Sequence, residues 1–242
     1  MIMITSSLFS FELRFHDNRP ITLVVEDKKY FRRIVSAVYE QIQGAEGPIT
    51  LSEDFKPAEL NGNSLLVFDP FSIDPNGKKV QSKISGEVKS LAKADFGDRF
   101  NSIVQEMNTL AYDLAQEISL PNTMYEEIDA LEISKLFRFY LEQSDEIMER
   151  VTEYCKAKVM SEKVKLIIFV NLHCFFDNNE LSAIFTQLEY EHIQVLLLEN
   201  SIQDSDKTDF EDFYIIDKDL CELYNEQVGF TTSIQEFEVW FE

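Results

Sequence analysis

Five lysines that fall within one short stretch are the residues of this chain best suited to bind an anion. They are Lys78, Lys79, Lys83, Lys89 and Lys93, with Glu87 as the single acidic residue between them. In a helix, at about 100° per residue, the five lie within an arc of roughly 140°. The apolar residues fall on the opposite side: Val80, Ile84, Val88 and Leu91. The spacing predicts a helix with a core face and an anion-binding face, although a charged helix face is often only solvated.

Gly86 lies inside the same basic arc. Glycine costs roughly 1 kcal/mol relative to alanine within a helix. We therefore expect it either to break the helix in two or to let another backbone approach closely.

A second basic group lies nearer the N-terminus, on a predicted helix that Asp27 caps. Lys28, Lys29, Arg32 and Arg33 form two i,i+4 pairs there. Aromatic residues do not interleave with either basic group, so stacking of single-stranded bases is not predicted. No base-reading motif is present, so a bound nucleic acid would be held by its phosphates, without sequence preference.

Oxygen-bearing side chains crowd around a predicted helix break at Pro121. The candidate ligands are Glu117, Asn122, Glu126, Glu127 and Asp129. Hard oxygen ligands in a bend suit Ca²⁺, although the spacing of an EF-hand is absent. The alternative interpretation is an ordinary acidic loop.

Acidic residues also follow two predicted strands, namely Glu26 and Asp27 after one and Asp69 after another. Such strand ends are where parallel sheets place their sites, so a divalent cation there could support nuclease or phosphotransfer chemistry. The alternative is that Asp27 caps a helix and Asp69 forms a turn. Neither a G-x-x-x-x-G-K-[ST] loop nor a G-x-G-x-x-G run is present, so ATP hydrolysis by a standard phosphate loop is not expected.

The elements that must position these residues fall into three blocks. Strand-length apolar runs occur at 21–25, 64–68, 166–170, 195–198 and 213–216, with weaker candidates at 8–15 and 49–51 and a turn at 17–20. Helical patterns occupy 27–42 and 178–190, and the stretch from 78 to about 161 contains no strand candidate. We therefore predict an α/β fold in which both chain ends (1–75 and 164–242) build a head domain with a mostly parallel sheet, and 76–163 form a long inserted α-helical leg domain.

Within the predicted leg, apolar residues from Phe100 to Leu114 hold a heptad-like spacing, which indicates a long helix that packs lengthwise on others. This helix should end at Pro121. Two further helices are predicted, at 124–141 and 145–160.

Composition limits the class of protein. The chain has 242 residues, a formal net charge of -22 and 45% hydrophobic residues, which is typical of a globular protein. Acidic residues are densest between 199 and 242. No apolar run is long enough to span a membrane, and the start lacks a signal-peptide pattern. Three cysteines without a C-x-x-C motif favour reduced, buried thiols in a cytoplasmic protein.

Four segments, in this order, resemble the adaptation-stage protein family of type II-A CRISPR systems. They are Ile21-Thr-Leu-Val-Val-Glu-Asp27, Ser64-Leu-Leu-Val-Phe-Asp69, Lys165-Leu-Ile-Ile-Phe-Val-Asn171 and Val195-Leu-Leu-Leu-Glu199, with the helical block between the second and third. The resemblance covers nearly the whole chain. Each segment is a generic apolar strand, so it is their combination that is informative.

The resemblance implies a non-catalytic homotetrameric ring with an α/β head and a helical leg in each subunit. It also implies sequence-independent binding of double-stranded DNA ends in the central hole, calcium as a stabiliser of ring and hinge, and a role in spacer acquisition with the CRISPR integrase complex and the RNA-guided nuclease. Glu126 and Glu127 after Tyr125 match the acidic stretch of the family's leg, whereas Asn122 stands where an aspartate is expected.

Three hypotheses follow. The first is a DNA-end-binding ring in which the lysine face contacts phosphates and the hinge acids hold Ca²⁺. The charge of the chain is compatible with it, because the Debye length of about 8 Å screens acids on an outer wall from DNA in a lysine-lined hole. The second is a metal-dependent nuclease or phosphotransfer enzyme that uses Glu26, Asp27 and Asp69. The third is a protein-interaction scaffold in which the lysines have no ligand.

Overall fold

In a computed structural model of the chain, residues 1–16, 19–203 and 207–225 are described. The predicted turn at 17–20 and the acidic stretch at 199–242 therefore lie partly outside the described residues. The chain divides into two units, Met1–Ile73 with Asp145–Glu242, and Asp74–Ser144.

The strands are β1 Ile2–Ser6, β2 Phe9–Arg14, β3 Ile21–Val25, β4 Ile49–Glu53, β5 Lys56–Ala58, β6 Ser64–Val67, β7 Leu166–Val170, β8 Gln194–Glu199, β9 Asp212–Ile216 and β10 Glu222–Asn225. The helices are α1 Lys28–Ile42, α2 Lys78–Ala94, α3 Gly97–Glu117, α4 Ala130–Leu136, α5 Ile147–Glu162 and α6 Asn178–Tyr190, with a 3₁₀ turn at Leu172–Cys174.

The larger sheet joins strands from both ends of the chain in the order β10-β9-β3-β8-β7-β6. Every pair from β9 to β6 is parallel, and β10 is antiparallel to β9. The predicted apolar runs form its parallel strands with ends that differ by at most two residues. The fold is therefore mixed α/β, with an antiparallel strand at one edge of the larger sheet.

A second sheet, in the order β2-β1-β4-β5, is entirely antiparallel and was not predicted. The sequence indicated only two of its strands. Its central pairing joins β1 to β4, with Ile2 opposite Glu53 and Ser6 opposite Ile49. The prediction of a single sheet was therefore wrong. The second sheet could not be predicted, because pairing between strands so far apart in sequence leaves no local pattern.

Alternate residues of the larger sheet enter two separate hydrophobic cores, because successive side chains of a strand point to opposite faces. On β7, Leu166 and Ile168 belong to a core that includes the second sheet and α1. Ile167 and Phe169 belong to the other core, with α5 and α6. Burial on both faces explains why these strands are continuous apolar runs rather than alternating ones.

Helix α5 lies in the unit that contains the larger sheet, whereas the sequence-based boundary placed it in the leg. Val151 and Cys155 are fully buried in the core that contains Ile167. The unit of α2, α3 and α4 ends at Ser144 instead of 163. The sequence indicated a helix at 145–160, but not the core that this helix enters.

The predicted helix at 124–141 is much shorter, since α4 spans seven residues. Asp129 and Glu132 form a capping box that sets its start. After its end, the side-chain amide of Asn76 binds the backbone of Leu141 through both groups, at 2.8 Å to the amide N–H and 2.9 Å to the carbonyl. These hydrogen bonds hold the backbone of Leu141, and residues 137–146 contain no helix.

Two smaller expectations were also tested. Cys155 is buried as expected, but Cys174 and Cys221 are exposed, so that part of the cysteine prediction was wrong. In the described part of the chain, no helix is both long and apolar enough to cross a membrane.

Candidate nucleic-acid interface

Helix α2 presents the five lysines as predicted. Lys78, Lys79, Lys83, Lys89 and Lys93 are all exposed, while Val80 is buried and Ile84 and Val88 are half-buried. Leu91 is an exception on the apolar side, because it is exposed. Glu87 forms an ion pair of 3.4 Å with Lys83, where both side chains are exposed. The helix therefore carries a positive face that is only partly offset by Glu87. We call it the lysine face.

Gly86 does neither of the things expected of it. Helix α2 continues through this position without a break. A Cβ atom built on Gly86 would meet no neighbouring atom within 4 Å, so no other backbone in the described structure approaches it.

The second basic group lies on the first two turns of α1, where all four side chains are exposed. The carboxylate of Asp27 accepts hydrogen bonds from the backbone N–H groups of Lys29 and Tyr30, at 3.1 and 2.8 Å, which confirms the predicted cap. The guanidinium of Arg33 lies 6.0 Å from the ring centre of Tyr30. The first turn of α1 has no acidic residue, although the helix dipole disfavours positive charge there.

The two basic groups belong to different units of the chain. The α1 group lies in the unit of Met1–Ile73 with Asp145–Glu242, and the lysine face lies in Asp74–Ser144. Each group is therefore a positive patch of its own unit.

The predicted calcium ligands do not form a metal site within the described residues, where no group of three or more acidic, His or Cys side chains could hold an ion. Glu117 is the last residue of α3. Asn122 has a positive φ of 61°, and Glu126 and Glu127 are exposed. The carboxylate of Asp129 already accepts the N–H of Glu132 at 2.8 Å. The arrangement of this single chain does not fit a five-ligand calcium site.

The strand-end carboxylates are also kept apart. Asp27 caps α1, and the Asp69 carboxylate accepts the backbone N–H of Phe71 at 2.8 Å, as a turn residue does. Strands β8 and β7 lie between β3 and β6 in the sheet. With about 4.8 Å between neighbouring strands, the ends that carry Glu26 and Asp69 are about 14 Å apart. One metal ion cannot reach both, which removes the geometric basis for the predicted nuclease centre.

A buried polar cluster that the sequence did not reveal lies beside β8. Nε2 of His173 is 3.1 Å from a carboxylate oxygen of Glu211, and Thr208 donates to the other oxygen at 2.7 Å. Thr22 also donates a hydrogen bond to Glu211. The carboxylate of Glu199 accepts the backbone N–H of His173 at 3.2 Å.

Burial raises the pKa of Glu199 to about 7, partly offset by His173. Burial and the Glu199 carboxylate also raise the pKa of Cys174. Because these side chains come from positions 22, 173, 199, 208 and 211, no local motif could have indicated them. They form a buried, hydrogen-bonded group that links the larger sheet to the segments around it.

Comparison with known proteins gives a consistent result. The family described as CRISPR-associated protein (Cas_Csn2) matches residues 41–220. A CRISPR-associated protein Csn2 of Enterococcus faecalis is 23% identical over 188 residues, which cover 74% of this chain and 82% of the relative. A protein of the same name from Streptococcus agalactiae is 24% identical over 204 residues, which cover 81% and 87%.

Among solved structures, the chain resembles cbiO1 from Clostridium perfringens, part of the ABC transporter complex cbiONQ. The TM-score is 0.45 at 11% identity, with 88% of this chain and 83% of the other covered. A similarity at this level assigns neither a fold nor an activity.

Proposed function

We propose, since this chain belongs to the Csn2 family of CRISPR-associated proteins, that it binds the ends of double-stranded DNA during spacer acquisition. In this proposal it acts without catalysis and without sequence preference, as a homotetrameric ring. Family membership places the protein in a CRISPR–Cas system. The DNA-binding role is supported by the residues described above.

The observation that carries the proposal is the lysine face of α2. Five exposed lysines share one side of a helix in a chain with a formal net charge of -22. Solubility does not require them, because the carboxylates already supply charge. A positive face in an acidic protein is therefore best explained by an anionic ligand such as the DNA backbone.

Sequence independence follows from the type of contact. Lysine ammonium groups act as point charges toward phosphates, and phosphate contacts carry no direct sequence information. The basic group on α1 supports the same role, because two of its four cations, Lys28 and Lys29, lie in the first turn, where the helix dipole opposes them.

Assembly with further copies of this chain is supported by α3. This helix is 21 residues long, yet none of its residues is buried in the described structure. Its exposed apolar side chains include Ile103, Met107, Leu110 and Leu114, which form most of the heptad pattern noted in the sequence. A helix that exposes such a row is suited to packing against the same helix of a second copy.

The same proposal includes a non-catalytic role, a cytoplasmic location and two partners, the integrase complex and the RNA-guided nuclease. The separation of the strand-end carboxylates supports a non-catalytic role. The integrase complex and the RNA-guided nuclease follow from the family resemblance, as does location in the cytoplasm. Calcium binding by Glu117, Asn122, Glu126, Glu127 and Asp129 stays a prediction, because the residues of one chain do not converge.

The direct test compares linear DNA with closed circular DNA of the same length and sequence, at matched salt. The protein should retain the linear form only, and binding should weaken steeply as salt rises, because phosphate contacts release counterions. Equal retention of the two forms would eliminate end binding.

A charge-reversal variant tests the lysine face itself. Changing Lys83, Lys89 and Lys93 to glutamate should abolish binding and leave the oligomeric mass unchanged. Reversing one lysine at a time should lower the slope of log affinity against log salt by about 1 for each phosphate that the variant no longer neutralises.

The matched control changes three exposed lysines outside the lysine face to glutamate: Lys56, Lys163 and Lys218. It alters the net charge by the same amount, so it should keep most of the affinity. Equal loss of affinity in both triple variants would mean that only total charge matters. Unchanged affinity in the first variant would favour a protein-interaction scaffold.

A further inference from the structure

An open cavity of about 430 Å³ lies within the unit of Asp74–Ser144, between α2 and the chain that follows α4. Helix α2 contributes Ile84 and Val88 from its apolar side and Lys89 from the lysine face. The opposite wall comes from the C-terminal half of α4 and from the residues after it. The cavity therefore lies where the core side of α2 meets its basic side.

Three aromatic rings line the second wall. Phe137, Phe139 and Tyr140 are 49%, 51% and 72% exposed. A group of neighbouring aromatic residues with this much exposure is unusual on a folded chain and is typical of a binding surface. The ring centres of Phe137 and Phe139 are 6.0 Å apart, and Phe100 supports Phe137 edge-on at 6.2 Å. Phe137 and Phe139 therefore lie side by side, and all three residues are partly open to solvent.

The wall is held in place from outside the cavity. Asn76 fixes the backbone at Leu141 through two hydrogen bonds, and its side-chain oxygen also accepts from Gln81 of α2 at 3.0 Å. The segment that carries the rings is thus tied to the start of α2. Because Gln81 also lines the cavity, this hydrogen-bonded network reaches the cavity wall.

The charge of the cavity selects its ligand. Lys89, Lys135 and Arg138 line it, and no acidic residue is among the described residues that do so. None of these three cations forms an ion pair in the described part of the chain. The cavity therefore combines flat aromatic faces with unpaired positive charge, which matches a ligand that has both an aromatic ring and an anionic group.

We propose that this cavity binds an unpaired nucleotide at the end of a DNA duplex, with the base stacked on the aromatic wall and the phosphate held by the cations. The volume is within the range of small-molecule sites. Stacking on aromatic side chains tolerates any base, and arginine and lysine provide phosphate contacts. The inference rests on the proposed function, because it assigns a place to the unpaired nucleotides of a frayed or overhanging end.

The sequence could not indicate this site. Lys89 and the aromatic residues from Phe137 to Tyr140 lie about 50 positions apart. The sequence-based conclusion that aromatic residues do not accompany the lysines is correct along the chain but wrong in space.

The test measures affinity by fluorescence anisotropy for two duplexes that differ only in a short unpaired thymidine extension at each end. The wild-type protein should bind the extended duplex at least about fivefold more tightly, because stacking of one base contributes about 1 kcal/mol or more. In the double variant Phe139→Ala Tyr140→Ala this preference should disappear while affinity for the blunt duplex stays unchanged. Tyr140→Phe, which keeps the ring, should keep the preference.

The outcomes separate the two proposals. If the wild type binds neither duplex, the proposed function fails. If it binds both equally, or if the double variant keeps the full preference, the cavity does not hold an unpaired nucleotide. If a free deoxynucleoside monophosphate binds the protein as tightly as the extended duplex does, the ligand of the cavity is a free nucleotide instead of a DNA end. Should the double variant not fold, Tyr140→Ala alone tests the same point, because this side chain is largely exposed.

Discussion

The replacement of Glu199 by glutamine is expected to change the pH dependence of stability. Glu199 is fully buried at the end of β8, and one of its carboxylate oxygens has no hydrogen-bond partner in the described structure. Burial raises its pKa from the ordinary value of 4.5 to about 7. Glutamine has the same shape as the protonated acid and cannot ionise.

The size of the effect follows from this pKa. A carboxyl group with a higher pKa in the folded state than in the unfolded state binds its proton more tightly when the protein is folded. Its stabilising contribution is therefore present below pH 4.5 and is lost as the pH rises through about 7. The full difference corresponds to about 3 kcal/mol, and most of it, about 2–3 kcal/mol, is lost between about pH 5 and about pH 8.

The assay is urea unfolding of the wild type and of Glu199→Gln near pH 5 and near pH 8. The free energy of unfolding of the variant, relative to the wild type, should rise by about 2–3 kcal/mol at the higher pH. The control is Glu106→Gln, at an exposed glutamate on α3, which should show no such rise. A Glu199→Gln difference that is the same at both values would show that Glu199 is already ionised in the folded protein, and the argument from burial would then be wrong.

Three further predictions concern packing, capping and assembly. Phe169→Ala should lower the free energy of unfolding by about 3–5 kcal/mol, because Phe169 is almost fully buried in a core. The control Phe55→Ala, at an exposed position, should change it by less than about 0.5 kcal/mol. Urea unfolding measures both variants, and equal effects would contradict the core assignment. Asp129→Ala should destabilise α4 by about 1 kcal/mol, because the helix loses its N-terminal cap. Amide hydrogen exchange in Ala130–Leu136, measured without added calcium, should become faster. Unchanged exchange would show that the cap does not stabilise the helix. If calcium stabilises the ring, sedimentation should show loss of the tetramer mass on chelation and its return when calcium is restored, and a mass that ignores the chelator would exclude that role.

Local sequence patterns were sufficient wherever one element determines the result. The continuous apolar run at 166–170 became β7, and the predicted helix at 178–190 became α6 with the same ends. The lysine face is also a property of a single helix, so the angular spacing of its residues predicted it. Asp27 and Asp69 were correctly given capping and turn roles as alternatives to a metal site, because those roles need only neighbouring backbone.

Predictions failed where an interaction joins distant parts of the chain. The second sheet depends on the pairing of β1 with β4, and the chain after α4 is held by the hydrogen bonds between Asn76 and Leu141. The place of α5 depends on which core buries Val151. In each case the local sequence permits more than one structure, and long-range packing selects one.

The residues of this protein determined, by themselves, that it is an α/β chain with a helical middle and a row of lysines on one helix face. Periodicity and charge are local, and a helix or strand displays them wherever it lies. Only the tertiary structure decided that Glu26 and Asp69 stand at separated strands, that His173, Glu199 and Glu211 form a buried group, and that aromatic rings lie beside Lys89. Those results depend on strand order and on contacts between segments that are distant in sequence. The spacing of residues along the chain cannot predict either one.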